Sequence, residues 1–92
     1  MQLMTNLERW RQVRAEVGGS VGFVPTMGAL HEGHLSLLRR SVAENETTVL
    51  SIFVNATQFN NNADLENYPT SIEEDLQLAQ SVGVDLVLMP DY

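Results

Sequence analysis

The residues with the clearest chemical potential are His31 and His34, in the run Pro25-Thr26-Met27-Gly28-Ala29-Leu30-His31-Glu32-Gly33-His34. An imidazole can donate to a phosphoryl oxygen, and Gly28 and Gly33 let the backbone come close to a ligand. The run follows a short apolar segment, Val21 to Val24, and precedes a helical pattern. A strand, a glycine-punctuated loop and a helix start make an anion site, because the first N–H groups of a helix lack partners and carry partial positive charge. The chemistry expected is polyphosphate binding, as for a nucleoside triphosphate. A second cluster lies in Phe53-Val54-Asn55-Ala56-Thr57-Gln58-Phe59. There the amides of Asn55 and Gln58, beside Phe59, either orient a small polar substrate or are plain turn residues.

Competing readings of these residues are weaker. His-Glu-x-His is one residue short of the His-Glu-x-x-His of zinc proteases, and Gly33 interrupts the helix face, so no metal site is expected. Two exposed loop histidines without a role would not account for their place after a strand and before a helix. The loop matches neither the dinucleotide fingerprint Gly-x-Gly-x-x-Gly nor the Walker loop, whose lysine this chain lacks altogether.

Composition narrows the partners. A chain of 92 residues with 43% apolar content forms one small domain, and with no cysteine it has neither disulfides nor thiolate chemistry. The net charge of -7 is unevenly spread: residues 1–40 carry +2, all five cations being arginines (Arg9, Arg11, Arg14, Arg39, Arg40), and residues 41–92 carry -9. Nucleic acid is disfavoured as a ligand, since its binding rests on many basic contacts. A polyphosphate would have backbone amides, two histidines and at most Arg39 or Arg40 here, so its site is either weak or completed elsewhere. No apolar run reaches membrane-span length and Met1 to Asn6 lacks a signal-peptide pattern, so a cytoplasmic protein is expected.

The elements that must position these residues follow from periodicity. Thr5-x-x-Glu8 reads as a capping box for a helix over about 6–17, with Leu7, Trp10, Val13 or Arg14, and Val17 at helical spacing and Gly18-Gly19 as its stop. Val21 to Val24 reads as a strand ended by Pro25, and Leu35, Leu38 and Val42 as the stripe of a helix from Gly33 to Asn45. Thr47 to Val54 is the strongest strand signal. Asn55 to Pro69, long for a plain connection, reads as a functional loop or a partly ordered segment. Thr70-x-x-Glu73 and Ser71-x-x-Glu74 are overlapping capping boxes for a third helix, with Ile72, Leu76, Ala79 and Val82 inward. Val84 to Met89 is a third strand, stopped by Pro90. Alternating strands and helices predict an α/β fold with parallel pairing, three strands and three helices, as half of a doubly wound sheet. In such sheets a ligand lies beyond the carboxyl ends of the strands, where the loops after Val24 and Val54 emerge.

The decapeptide Pro25 to His34, then Ser51-Ile52-Phe53-Val54-Asn55-Ala56-Thr57-Gln58-Phe59, Asp64-Leu65-Glu66-Asn67-Tyr68-Pro69 and Glu73-Glu74-Asp75-Leu76, resemble the pantothenate synthetase (pantoate/beta-alanine ligase) family in order and spacing. His-x-Gly-His alone would indicate only the wider nucleotidyltransferase superfamily. The resemblance implies a Rossmann-like nucleotidyltransferase domain of which residues 1–92 are the N-terminal part, the rest of that domain and a C-terminal domain lying beyond Tyr92. It implies ATP-dependent condensation of pantoate with beta-alanine through a pantoyl adenylate, with Mg2+ arriving on ATP. Family roles put Met27, Gly28, Ala29, Leu30, His31, Glu32, Gly33 and His34 around ATP, with His34 as acid or charge stabiliser and His31 beside it. Gln58, Asn55, Pro25, Thr26 and Met27 would hold pantoate and beta-alanine. Ala56, where relatives usually carry Pro, and Thr70, where a basic residue is common, depart from the pattern. The 92-residue chain alone is expected to be inactive, because the family's phosphate-clamping lysine and serines are missing, and to form a homo-oligomer through its first strand. The alternatives are another adenylyl- or cytidylyltransferase and a non-catalytic nucleotide-binding module.

Overall fold

The computed structural model of the chain describes residues 1–53 and 62–90. The elements are β1 (Gln2–Met4), α1 (Leu7–Glu16), β2 (Val21–Thr26), α2 (Glu32–Glu44), β3 (Thr47–Ile52), α3 (Asn62–Ser81) and β4 (Leu86–Leu88). All strand pairs are parallel, in the order β1-β4-β3-β2. The α/β class and parallel pairing are as expected, with four strands where three were read.

Alternation along β3 divides the core between the two faces of the sheet. Leu50 and Ile52 point toward α2 and α3, packing with Leu35, Leu38, Ala79 and Val87. Val49 points the other way and packs with Met4, Leu86 and Leu88 beneath Trp10 and Val13 of α1. Leu38, Leu50, Ile52 and Val87 are fully buried, each contributing about 1.5–3 kcal/mol relative to exposure. The chain thus changes faces at β2, which α1 enters from one side of the sheet and α2 leaves on the other.

Five local expectations are corrected. The added strand β1 is three residues long with only Met4 buried, too short for a pattern; it is made by pairing, Gln2 N–H donating to the Asp85 carbonyl (3.0 Å) and Met89 N–H to the Met4 carbonyl (2.7 Å). The cap of α1 is Asn6, whose side chain accepts from Arg9 N–H at 3.0 Å; asparagine is at least as good a cap as threonine, so the frame moves one residue from Thr5. Leu7 is exposed, leaving Trp10 and Val13 as the packing stripe of α1.

Pro25 does not end β2 but lies inside it, opposite Ser51. The carbonyls of Ser20 and Thr26 accept from Thr47 and Phe53 N–H, so even-numbered residues bond to β3 and odd-numbered N–H groups face outward. Pro25 occupies an outward position, where a missing donor breaks no ladder bond. Finally, α3 begins at Asn62, runs through Pro69 and covers both predicted capping boxes, so most of the expected loop is helix.

Candidate active site

The candidate loop, residues 27–31, leaves the carboxyl end of β2 and enters α2. Because Thr26 pairs with Ile52, the chain after β3 departs from the same end of the sheet. Asn55, Gln58 and Phe59 lie outside the described residues.

Thr26 is buried and pins the start of the loop: its hydroxyl donates to the Ser51 carbonyl (2.9 Å) and accepts from Gly28 N–H (3.2 Å). Gly28 (φ 89) and Ala29 (φ 53) both have left-handed backbone, which a glycine adopts freely and an alanine does not. At Ala29 this costs about 1–2 kcal/mol. Two bonds to one carboxylate oppose that cost: Ala29 N–H donates to Asp75 Oδ2 and Leu30 N–H to Asp75 Oδ1, both at 2.8 Å. Asp75 is 2% exposed, and charge-assisted bonds of this kind contribute about 1.5–3 kcal/mol each, more than the strain. Leu30 then turns into the core beside Leu35 and Leu38.

His31 is the N-cap of α2. Its Nδ1 accepts from Gly33 N–H at 3.0 Å, while its own backbone N–H donates to Nδ1 of His34 at 3.2 Å. This is a capping box built from two imidazoles, the three-residue spacing of the pair being that of an N-cap and its N3 partner. The rings lie 4.1 Å apart between centroids, tilted by 34°. A Cβ on Gly33 would stand 2.8 Å from Cε1 of His31, so Gly33 makes room for the folded-back ring.

Two consequences follow for chemistry. Since each Nδ1 accepts a hydrogen bond, the proton of each neutral ring is on Nε2, leaving one N–H donor per ring. The expectation of open loop amides is corrected: the N–H groups of Gly28, Ala29, Leu30, His31 and Gly33 all bond within the protein. The donors left to a phosphate are chiefly the two imidazole Nε2–H groups. Met27 (55% exposed) and Pro25 are open to a ligand, whereas the Thr26 hydroxyl is committed to the loop. Neither candidate arginine is unengaged: Arg39 binds Glu32 at 2.6 Å and Arg40 binds Glu44 at 3.1 Å.

Burial lowers the pKa of His34 below its ordinary 6.5, repulsion from His31 when that ring is protonated lowers it further, and Asp75 opposes both. The fold therefore favours neutral His34, a stabilisation present above pH 6.5 and lost as pH falls through the lower folded value. NMR titration is expected to place its midpoint below 6.5; a midpoint above that value would contradict the arrangement.

Sequence reasoning did not single out Asp75. It reads as one acid in the run Glu73-Glu74-Asp75, ordinarily a solvated face, yet it lies three residues after Ile72 and four before Ala79, on the inward stripe of α3. Among the described residues no group of three or more His, Cys, Asp or Glu could hold a metal ion, and no helix is long and apolar enough to cross a membrane.

Known proteins share this arrangement of sequence and fold. Pantothenate synthetase from Wolinella succinogenes is 51% identical over 90 residues, covering 98% of this chain and 33% of the relative. That from Coxiella burnetii is 54% identical over 85 residues, covering 91% and 33%. The crystal structure of pantoate-beta-alanine ligase from Francisella tularensis, complexed with beta-gamma ATP and beta-alanine, superposes with a TM-score of 0.82 at 41% identity, covering 98% of this chain and 35% of that one. Pantothenate synthetase from Thermus thermophilus gives a TM-score of 0.74 at 43% identity, covering 99% and 32%. The chain spans about a third of the length of the curated relatives it matches. The family profile of pantoate-beta-alanine ligase matches residues 1–92, and the chain belongs to that family.

Proposed function

We propose that this chain supplies the nucleotide loop of an enzyme that condenses pantoate with beta-alanine at the expense of ATP. The observation that carries the reading is the imidazole capping box, intact in a chain of this family, which holds two neutral Nε2–H donors at the carboxyl end of the sheet. In the first step a pantoate carboxylate oxygen bonds to the α-phosphorus of ATP, the bond to the bridging oxygen breaks, and pyrophosphate leaves. In the second the beta-alanine amine attacks the acyl carbon, loses a proton and expels AMP. His34 and His31 stabilise the negative charge that develops on phosphoryl oxygens, donating from Nε2. The lowered pKa of His34 favours this neutral-donor role over that of a proton-carrying acid.

Met27, Gly28, Ala29, Leu30, Glu32 and Gly33 complete the ATP side, and Pro25, Asn55 and Gln58 the pantoate and beta-alanine side. Thr26 serves by holding Gly28 in place and not by touch. Mg2+ comes with ATP, bound by its phosphates. The cytoplasm, where ATP is made and spent, is the compartment this chemistry suits.

A polypeptide continuing this segment to the length of its relatives is expected to release AMP only when pantoate is present. Pantoate-independent nucleotidyl transfer to another acceptor would replace this reading with a different His-x-Gly-His transferase. We also propose self-association through β2, whose outer edge is unpaired among the described strands and carries Phe23, 50% exposed. Sedimentation of the 92-residue chain is expected to show a dimer or larger species at high concentration, and a monomer throughout would refute it.

A further inference from the structure

We propose that Asp75 is a positioning residue for the nucleotide loop: its buried carboxylate holds the two-residue left-handed turn at Gly28 and Ala29 and thereby sets where the histidine cap begins. Its catalytic consequence rests on the adenylate-forming reading above, while its structural part does not.

The geometry is specific. Asp75 is on α3, its bonding partners are in the loop between β2 and α2, and the two are separated by more than forty positions in sequence. Each carboxylate oxygen takes one of two consecutive backbone N–H groups, at 2.8 Å in both cases. Such a pair of amides is what an anion would occupy in a phosphate loop. Here the protein fills it with its own carboxylate, so these amides serve the shape of the loop and the imidazoles serve the ligand. The next backbone N–H, that of His31, is the one bonded to Nδ1 of His34. An error in the Gly28–Leu30 turn is therefore transmitted directly into the ring pair. The same carboxylate acts electrostatically on His34, favouring its protonated form against burial and the charge of His31.

The first test needs no variant. In the unsubstituted chain the Ala29 and Leu30 amides, which belong to a loop, are expected to exchange with deuterium about 10- to 100-fold more slowly than unbonded loop amides, the range given by a charge-assisted hydrogen bond. Unprotected exchange at both would overturn the proposal whether or not any variant folds. Asp75→Asn keeps the size but turns an NH2 toward one of the two N–H donors. It is expected to remove protection at one or both amides and to move the His34 NMR titration midpoint to lower pH. An unchanged midpoint with unchanged protection would refute the positioning role.

In the enzyme extended to the length of its relatives, Asp75→Asn is expected to lower kcat about 100-fold, as for a misplaced catalytic group, with the KM for pantoate unaltered. Full kcat alongside lost protection would show that the turn does not govern the histidines. If instead His34→Ala left turnover untouched while the exchange result stood, the adenylate reading would fail and the Asp75 latch would survive.

Discussion

Replacing His34 with Ala in an enzyme extended to the length of its relatives is expected to lower kcat about 10²- to 10³-fold, the usual cost of removing one fixed donor to a developing oxyanion. The loss falls on kcat and kcat/KM together, because an interaction that strengthens only as charge develops contributes little to ground-state binding. His34 has a second task that the same substitution removes, since its Nδ1 accepts the backbone N–H of His31. His34→Gln separates the two, for glutamine at N3 of a helix can reach back to the N-cap N–H but places no donor where Nε2 stands. Its melting temperature is expected to match the parent while kcat stays low. A His34→Ala enzyme turning over at near the parental rate would remove the imidazole from the chemistry.

The second large effect concerns the 92-residue chain by itself, which is expected to make no detectable pantothenate from ATP, pantoate and beta-alanine. The cause is electrostatic. All five cations are arginines; Arg39 and Arg40 are held by carboxylates of their own helix, and Arg9, Arg11 and Arg14 belong to α1, across the sheet from α2. The amides of Gly28 through His31 are likewise committed, two of them to Asp75. Two neutral imidazoles face a leaving pyrophosphate without a cationic clamp, and a single well-placed arginine at a transferring phosphoryl group contributes about 10³–10⁵ in rate. Measuring AMP release by this chain beside the extended enzyme checks the expectation; comparable rates would mean that the described residues suffice.

What the sequence made legible divides along physical lines. β3 and α2 announce themselves because their signals are local: a run of β-branched and apolar residues for Thr47–Ile52, a stripe at Leu35 and Leu38 for Glu32–Glu44. The loop between β2 and α2 was legible as a ligand site from glycine and histidine content, but its wiring was not. That the His31 ring folds back on Gly33, and that Asp75 takes two amides from another element, are tertiary facts with no local marker. β1 escaped for the same reason, since it exists through pairing with β4. The start of α3 differs because a capping-box pattern such as that at Thr70 and Ser71 is also compatible with a helix interior, and α3 runs through both residues from Asn62.

Pro25 has a consequence for how large an assembly can grow. With its ring at an outward position of β2, the edge left unpaired among the described strands offers β2 amide hydrogens only at Val21 and Phe23, so an added strand can register over a short length and no farther. A second molecule seated there consumes that short edge on both partners, and stacking cannot propagate into fibrils from this side of the sheet. One imino acid thus sets an upper limit on the length of any strand that could be added along β2.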